Sequence, residues 1–230
     1  MRTLLTILTL ISCQTTFGQF AIISDKDGFV NVRSSAGISN NITDTLTNGQ
    51  IVFCFEAEKE WFPIEYDLSR QNKSGYIHRT RMKFIEDFKK KSSSNLTDSS
   101  ILFKSDTLKL TITKTSFNSK TNKLQYHKGN PQENEASYLE RINGLEIWGS
   151  EGNIPKKQYG QILLELGKKK TQLPIENLFE PNLGYTSLNI DEQNETIYIS
   201  SLNSDGAGAY AVLWIVKQGN YRQRIITIPF

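Results

Sequence analysis

Beyond residue 20, the chain consists of short runs in which apolar and polar side chains alternate, and turn sequences separate the runs. Leu108, Leu110 and Ile112, for example, alternate with polar residues, which is the period of a β-strand with one buried face. Asn48-Gly49 and Asn143-Gly144 are turn sequences, because both residue types tolerate positive φ. The pattern predicts a mainly β protein built from antiparallel strands.

One run, residues 210–217, is apolar on both faces rather than on one. A strand of this kind is covered on both sides. We therefore expect it at the centre of a sheet or sandwich. Its two faces carry Val212, Trp214 and Val216 on one side, and Ala211, Leu213 and Ile215 on the other.

Length and charge narrow the protein class. A chain of 230 residues predicts one or two domains, and 37% hydrophobic residues with 12 Phe, 9 Tyr and 3 Trp suffice for a packed core. The net charge of +3 is too small for the clustered basic face that nucleic acid requires. The lysine runs at residues 89–91 and 168–170 are interpreted as solvated surface.

Residues 1–18 have the pattern of a signal peptide. Arg2 precedes the apolar segment 4–11, which is too short to span a bilayer. Small residues before Gln19 favour cleavage after Gly18, whereas Leu10-Ile11-Ser12-Cys13 resembles a lipobox in which Cys13 would be lipidated. Both alternatives predict an exported protein, periplasmic or at the cell surface, without a transmembrane helix.

Loss or lipidation of Cys13 leaves Cys54 without a disulfide partner in the chain. Cys54 lies in the apolar run 51–55, so we expect it to be buried in a strand. A reactive thiol needs a basic neighbour that lowers its pKa, and the flanking sequence offers none.

Four motifs in residues 27–78 stand at a characteristic spacing: Val30-Asn31-Val32-Arg33-Ser34, Leu46 with Gly49, Trp61, and Gly75-Tyr76-Ile77-His78. On these motifs, residues 19–86 resemble the bacterial Src-homology-3-like domain, SH3b. The resemblance implies a small β-barrel outside the cytoplasm that binds cell-wall peptides or glycans, or acts as a spacer. The stretch departs from the family pattern at Ser35, where Gly is usual, at Tyr76, where Trp is usual, and in the longer loop 67–74.

The resemblance further implies a ligand groove between the loops 34–41 and 67–74, with Arg33, Trp61 and Tyr76 as candidate ligand contacts. In the alternative interpretation, Arg33 and Trp61 only complete the barrel.

The polar, Ser- and Lys-rich segment 87–100 is interpreted as a flexible linker to a second β-rich domain, residues 101–230. We expect this second domain to be an antiparallel sheet or sandwich. Its segments 147–156, 178–183 and 203–210 resemble a C-terminal domain of exported Bacteroidetes-like proteins, and this resemblance implies no activity.

The loop at residues 203–209 joins two apolar strands with small residues only. Asp205 and the free backbone N–H groups could line a site, and Trp148, Asp205 and Tyr210 are the candidate ligand contacts of the second domain. In the competing interpretation, the loop is a tight connection whose glycines take positive φ. Oxygen ligands at regular spacing are missing, so no metal site is predicted.

The sequence offers no recognisable catalytic set. Neither His78 nor His127 has a metal-binding neighbour, and the second domain contains no Cys, which excludes cysteine-peptidase chemistry there. We therefore expect a non-catalytic exported protein, without cofactor, that binds a cell-envelope ligand or a protein partner. The first alternative is an immunity or inhibitor protein, and a more remote one is a hydrolase with converging carboxylates such as Glu151 and Asp205.

Overall fold

The computed structural model describes residues 18–68, 72–130, 132 and 136–230. Residues 1–17, with the predicted targeting signal and Cys13, lie outside the described residues, as does the tip of the 67–74 loop. The described chain consists of antiparallel strands with short 3₁₀ turns, which confirms the mainly β prediction. No helix in these ranges is long and apolar enough to cross a membrane.

The first seven strands form one sheet in the order β3-β2-β6-β5-β4-β1-β7. Their bounds are β1 Gln19–Ile23, β2 Phe29–Arg33, β3 Ile42–Thr47, β4 Ile51–Cys54, β5 Trp61–Tyr66, β6 Lys73–His78 and β7 Met82–Phe84.

The predicted barrel is not closed. β3 and β7 are the two ends of the sheet order, and no backbone pairing joins them in the described ranges. Leu46 of β3 and Phe84 of β7 nevertheless belong to one buried cluster. Because β1 and β7 extend the sheet beyond β4, its two ends meet through side chains around a shared core.

The free edge of β3 is blocked by side chains from its own neighbourhood. The amide of Asn48 bonds to the carbonyl of Gly28 on the β2 side, so the alternate amides of Thr45 and Thr47 point away from β2. Asp44 Oδ1 accepts from Thr45 N at 2.8 Å, and the side-chain carbonyl of Gln50 accepts from Thr47 N. These two edge donors are therefore already satisfied.

The remaining strands form two five-stranded sheets, β20-β19-β18-β17-β8 and β16-β15-β11-β10-β9, and a small sheet, β12-β13-β14. Their bounds are β8 Lys89–Lys91, β9 Asn95–Leu96, β10 Ser100–Lys104, β11 Leu108–Ser116, β12 Leu124–His127, β13 Tyr138–Ile142, β14 Leu145–Glu146, β15 Lys157–Leu166, β16 Lys169–Gln172, β17 Thr186–Asp191, β18 Thr196–Asn203, β19 Tyr210–Lys217 and β20 Asn220–Thr227.

The two five-stranded sheets pack face to face around the largest apolar cluster. The alternating residues Leu110 and Ile112 of β11 are fully buried there, opposite Val212 and Trp214 of β19. This arrangement is the sandwich that the alternation predicted.

Strand β19 is buried on both faces, as its sequence predicted. One face points into the sandwich, and the other packs against the first sheet. Leu213 belongs to a cluster that also contains Phe20, Phe53 and Ile85 of the first unit. The molecule therefore has three layers, with the sheet of β19 in the middle.

The segment 87–100 differs from the flexible linker expected from its composition. Lys89–Lys91 form β8, which pairs with β17, and Asn95–Leu96 form β9, which pairs with β10. Phe88 is nearly buried and stacks on Tyr198, with ring centroids 5.2 Å apart. A lysine strand at a sheet edge needs only its backbone to pair, and its side chains remain in solvent.

Candidate functional site

The outer face of the first sheet carries several of the predicted ligand contacts. Arg33 lies opposite Tyr76 in the β2–β6 pair, and Trp61 lies opposite His78 in the β5–β6 pair. Directly opposite residues of an antiparallel pair share a face, and Tyr76 and His78 are two residues apart. All four side chains are half-buried on this outer face, while Ile77 between them is buried in the core.

Trp61 forms the floor of a cleft. The guanidinium carbon of Arg33 lies 5.8 Å from the centre of its ring, and the ring of His78 meets it edge-on at 5.2 Å. A guanidinium at this distance is attracted by the electron-rich face of the indole. Arg33 and Trp61 therefore form one recognition surface in which cation and aromatic ring are adjacent.

Hydrogen bonds hold Arg33 in place. Its Nη1 donates to Asn41 Oδ1 at 2.8 Å and to Ser39 O at 3.1 Å. Asn41 in turn donates to Ser35 Oγ at 3.0 Å and to Ser35 O at 3.1 Å. The loop 34–41 is thereby folded back over Arg33, and the guanidinium is positioned before any ligand arrives.

The cleft has a volume of about 330 Å³ and an apolar rim. Phe29 is 47% exposed and Ile38 is 84% exposed, both unusually open for large apolar side chains. On the far wall, Arg81 donates to Asp25 at 2.6 Å, and this hydrogen bond lowers the pKa of the Asp25 carboxyl. The cleft thus combines an aromatic floor, an apolar rim and the positioned cation of Arg33.

Tyr76 does not line this cleft. Its hydroxyl donates to Glu58 Oε1 at 3.0 Å, which raises the pKa of Tyr76. The ring borders a neighbouring, wider depression between Ser34 and the part of the 67–74 loop that the structure describes from Asn72 onward. The groove that the resemblance implies corresponds to this depression, whereas Arg33 and Trp61 meet in the cleft beside it.

In the second unit, Trp148 and Tyr210 belong to the interior. Tyr210 is fully buried, and its hydroxyl donates to the carbonyl of Phe179 at 2.9 Å. Burial raises its pKa well above the ordinary value. Trp148 is half-buried against the sandwich core, with its ring 6.2 Å from that of Tyr210. The structure therefore argues against Tyr210 as a ligand contact, because its surface is already covered by protein.

Asp205 is exposed, and neither Trp148 nor Tyr210 is part of the cleft that it lines. It precedes a 3₁₀ turn, Gly206–Gly208. The tight-connection interpretation expected positive φ at both of these glycines, and Gly206 takes it whereas Gly208 does not. Asp205 and Glu151 both line a cleft of about 530 Å³. Oε1 of Glu151 lies 3.4 Å from the amide nitrogen of Gly208. The described residues contain no group of three or more His, Cys, Asp or Glu that could hold a metal ion.

Phe29, Ile38 and Arg81 are among the residues of the Trp61 cleft that sequence reasoning missed. Phe29 could have been found, because it shares the alternation of Asn31 and Arg33 and therefore their face. Ile38 stands in a polar loop, and Arg81 follows the last motif. Neither has a periodic signal.

Comparison of the chain with protein-family models, curated proteins and solved structures finds no match.

Proposed function

We propose that this is an exported binding protein whose Trp61 cleft holds a peptide or glycan of the cell envelope. The observation that carries the proposal is the guanidinium of Arg33, held by Asn41 beside the face of Trp61 at the bottom of an open apolar rim. The resemblance of residues 19–86 to the SH3b family and the signal-like residues 1–18 support the same proposal.

The chemistry of the cleft suits a ligand with an apolar face next to an anionic or carbonyl group. An exposed aromatic ring stacks on the C–H face of a sugar or on an aliphatic side chain. Arg33 retains donors that its bonds to Asn41 and Ser39 do not use, and a guanidinium can donate two parallel hydrogen bonds to a carboxylate. Envelope peptides and acidic sugars carry both features.

A sedimentation assay on purified, insoluble peptidoglycan tests the proposal with the mature chain. Trp61→Ala and Arg33→Gln should each lower the retained affinity about tenfold or more, the loss expected for a central contact of a small interface. Tyr76→Phe tests the neighbouring depression, because this ring lies on the same face but outside the cleft, and unchanged retention of this variant would restrict the ligand to the Trp61 cleft. Equal retention of all four proteins would place the cell-wall ligand outside the Trp61 cleft and refute the proposed site, and no retention of the unaltered chain would refute the cell-wall ligand.

A second candidate function, an inhibitor or immunity protein, is favoured by the small sheet of the second unit. Tyr126, Tyr138 and Leu145 are each exposed by 44% or more on its three strands. Exposed aromatic residues of this kind are enriched at protein interfaces. If a toxin or hydrolase gene lies next to this gene, its purified product should be inhibited by the unaltered chain and not by Tyr126→Ser. Full activity of that product in the presence of excess protein would exclude this candidate.

A further inference from the structure

A cleft of about 580 Å³ lies between the first sheet and the sheet of β19, and we name it the interlayer cleft. Ile22 of β1 and Ile51 of β4 line it from the first sheet, and Tyr198 of β18 and Ile215 of β19 line it from the other side. Pockets between structural units are common ligand sites, and the usual volume is about 300–1,000 Å³. The interlayer cleft is therefore large enough for a small molecule.

A lysine of the first sheet enters this cleft. Lys83 lies opposite Ile22 in the β1–β7 pair, and directly opposite residues share a face. Ile22 packs against the apolar cluster between the two sheets, so Lys83 is on the same inner face. Its Nζ lies 3.8 Å from the centre of the Phe88 ring. The ammonium group is therefore placed at the cleft by a cation–π contact.

Two further cations come from the sheet of β19. Lys217 alternates with Leu213 and Ile215, which both belong to the cluster between the sheets, so its side chain leaves β19 on that face. Arg222 lies at the bulge of β20, where one residue has no partner on β19. Bulges of this kind redirect a side chain, and Arg222 lines the cleft. Cations of both sheets thus line one cavity.

The charge of this lining is not balanced. Lys83, Lys217 and Arg222 form no ion pair with a carboxylate in the part of the chain that the structure describes. Asp191 is the single carboxylate among the described residues of the lining, and it is 7% exposed. Its two oxygens accept from the backbone amide and the side-chain amide of Asn194, at 3.2 and 2.7 Å. Three positive charges and one negative charge favour an anionic ligand.

The buried hydroxyl of Tyr198 also points to a ligand. Tyr198 is 3% exposed and lines the cleft, and its hydroxyl makes no hydrogen bond to any described residue. This oxygen keeps some contact with solvent, unlike the fully enclosed and unpartnered Oδ1 of Asn189. Burial, and then the charge of Asp191, raises the pKa of Tyr198 to about 12. The hydroxyl is therefore protonated at neutral pH and free to donate.

We propose that the interlayer cleft binds a soluble phosphate monoester of a hydroxylated carbon skeleton, such as a sugar phosphate. A phosphate dianion has three terminal oxygens that accept hydrogen bonds, and Arg and Lys are its usual partners in proteins. Lys83, Lys217 and Arg222 donate to these oxygens, and Tyr198 donates to an oxygen of the same ligand.

Asp191 selects the rest of the ligand. Its carboxylate repels the phosphate, but the lone pairs that Asn194 does not use accept a hydroxyl group of the skeleton. The phosphate therefore lies towards the cations and the hydroxylated part towards Asp191. This inference is independent of the ligand proposed for the Trp61 cleft.

Calorimetric titration of the mature chain with glucose 6-phosphate tests the inference. Methyl phosphate, which lacks the hydroxyl groups, should bind more weakly, and glucose, which lacks the phosphate, should bind least. Lys217→Gln and Arg222→Gln should each weaken glucose 6-phosphate about tenfold or more, the loss expected when a hydrogen bond to a charged group is removed. Lys104→Gln removes the same charge from an exposed position of β10 outside the cleft, and this control should bind like the unaltered chain.

Tyr198→Phe separates a binding role from a structural one. The hydroxyl has no partner in the protein, so its removal should leave the urea midpoint unchanged or higher. The same variant should weaken glucose 6-phosphate about tenfold, because a donor to the ligand is lost. A lowered urea midpoint with unchanged affinity would show that this hydroxyl serves the fold, and its proposed role would be refuted.

Several outcomes would overturn the inference: no binding of glucose 6-phosphate, equal affinity for glucose, or binding that survives both Lys217→Gln and Arg222→Gln. Equal affinities for methyl phosphate and glucose 6-phosphate would refute the contact of Asp191 with a hydroxyl group. Binding lost on Trp61→Ala would move the ligand to the other cleft. Retention on phosphatidic acid vesicles that depends on Lys217, without binding of glucose 6-phosphate, would replace the soluble ester by a lipid headgroup. Peptidoglycan retention should be unaffected by Lys217→Gln, so the two proposals fail separately.

Discussion

Leu213→Ala should destabilise the first unit although the substitution lies in the second. Leu213 is fully buried, on the face of β19 that packs against Phe20, Phe53 and Ile85. Truncation of a buried leucine leaves a cavity and costs about 2–5 kcal/mol. For a chain of this length, that loss corresponds to a fall in Tm of about 4–20 °C.

Hydrogen exchange followed by mass spectrometry measures the local stability of the first sheet and of the sandwich separately. If they unfold together, the slowest amides of β5 in the first unit should exchange about 30-fold to several thousand-fold faster in Leu213→Ala, in step with those of β18. Phe53→Ala, on the other side of the same cluster, should accelerate exchange in β18 in the same way, with a loss of about 3–5 kcal/mol.

Ile228→Ala is the control, since this side chain is 52% exposed and a surface substitution changes stability by about 0.5 kcal/mol or less. Faster exchange in β19 with unchanged exchange in β5 would show that the two units unfold independently, and the three-layer interpretation would then be refuted.

Three further predictions concern single groups. Tyr210→Phe removes the donor to the buried carbonyl of Phe179 and should cost about 1–3 kcal/mol in urea unfolding. Arg81 lowers the pKa of Asp25, so their pairing stabilises the fold above the pKa of the unfolded carboxyl and is lost as pH falls through the folded-state pKa. Asp25→Asn should therefore reduce the urea midpoint near neutral pH and flatten its decline towards about pH 3, and parallel curves for both proteins would contradict this. Cys54 is buried and its pKa is raised, so a thiol reagent should label it only in denaturant, and rapid labelling of the native protein would exclude the buried position.

The sequence was informative where one residue pattern determines one structure. The continuous apolar run of β19 predicted burial on both faces, and both are covered. The run could not reveal that the second face of β19 is covered by the first sheet, because the residues of a strand do not specify which element packs against it. The prediction of a flexible linker at 87–100 was wrong for a related reason, although the side chains of Lys89 and Lys90 are exposed as predicted. A polar composition indicates that side chains are in solvent. Pairing with the edge of β17 uses backbone groups, which every residue has, so the composition could not predict it.

The residues of the candidate site were likewise predicted only in part. The motif spacing and the family resemblance indicated Arg33 and Trp61, and the pairing of β2 and β5 with the two sides of β6 brings the two side chains together. Trp148 and Tyr210 looked like ligand contacts because they stand beside glycine-rich loops. In the fold, the backbone at Gly149 passes close to Phe179, and a Cβ at Gly149 would lie 2.3 Å from the carbonyl oxygen of Phe179. The glycine therefore allows these aromatic rings to pack and does not form a ligand site.

The capped edge of β3 has a bearing on how the protein behaves in crowded surroundings. With the outward amides of Thr45 and Thr47 bound by Asp44 and Gln50, two of the donors that a second molecule would need to extend the sheet are already used. This arrangement disfavours pairing between copies of the chain along this edge. Gln50→Ala would free the Thr47 amide while leaving in place Asp44, which accepts the hydroxyl of the buried Tyr66 at 3.0 Å.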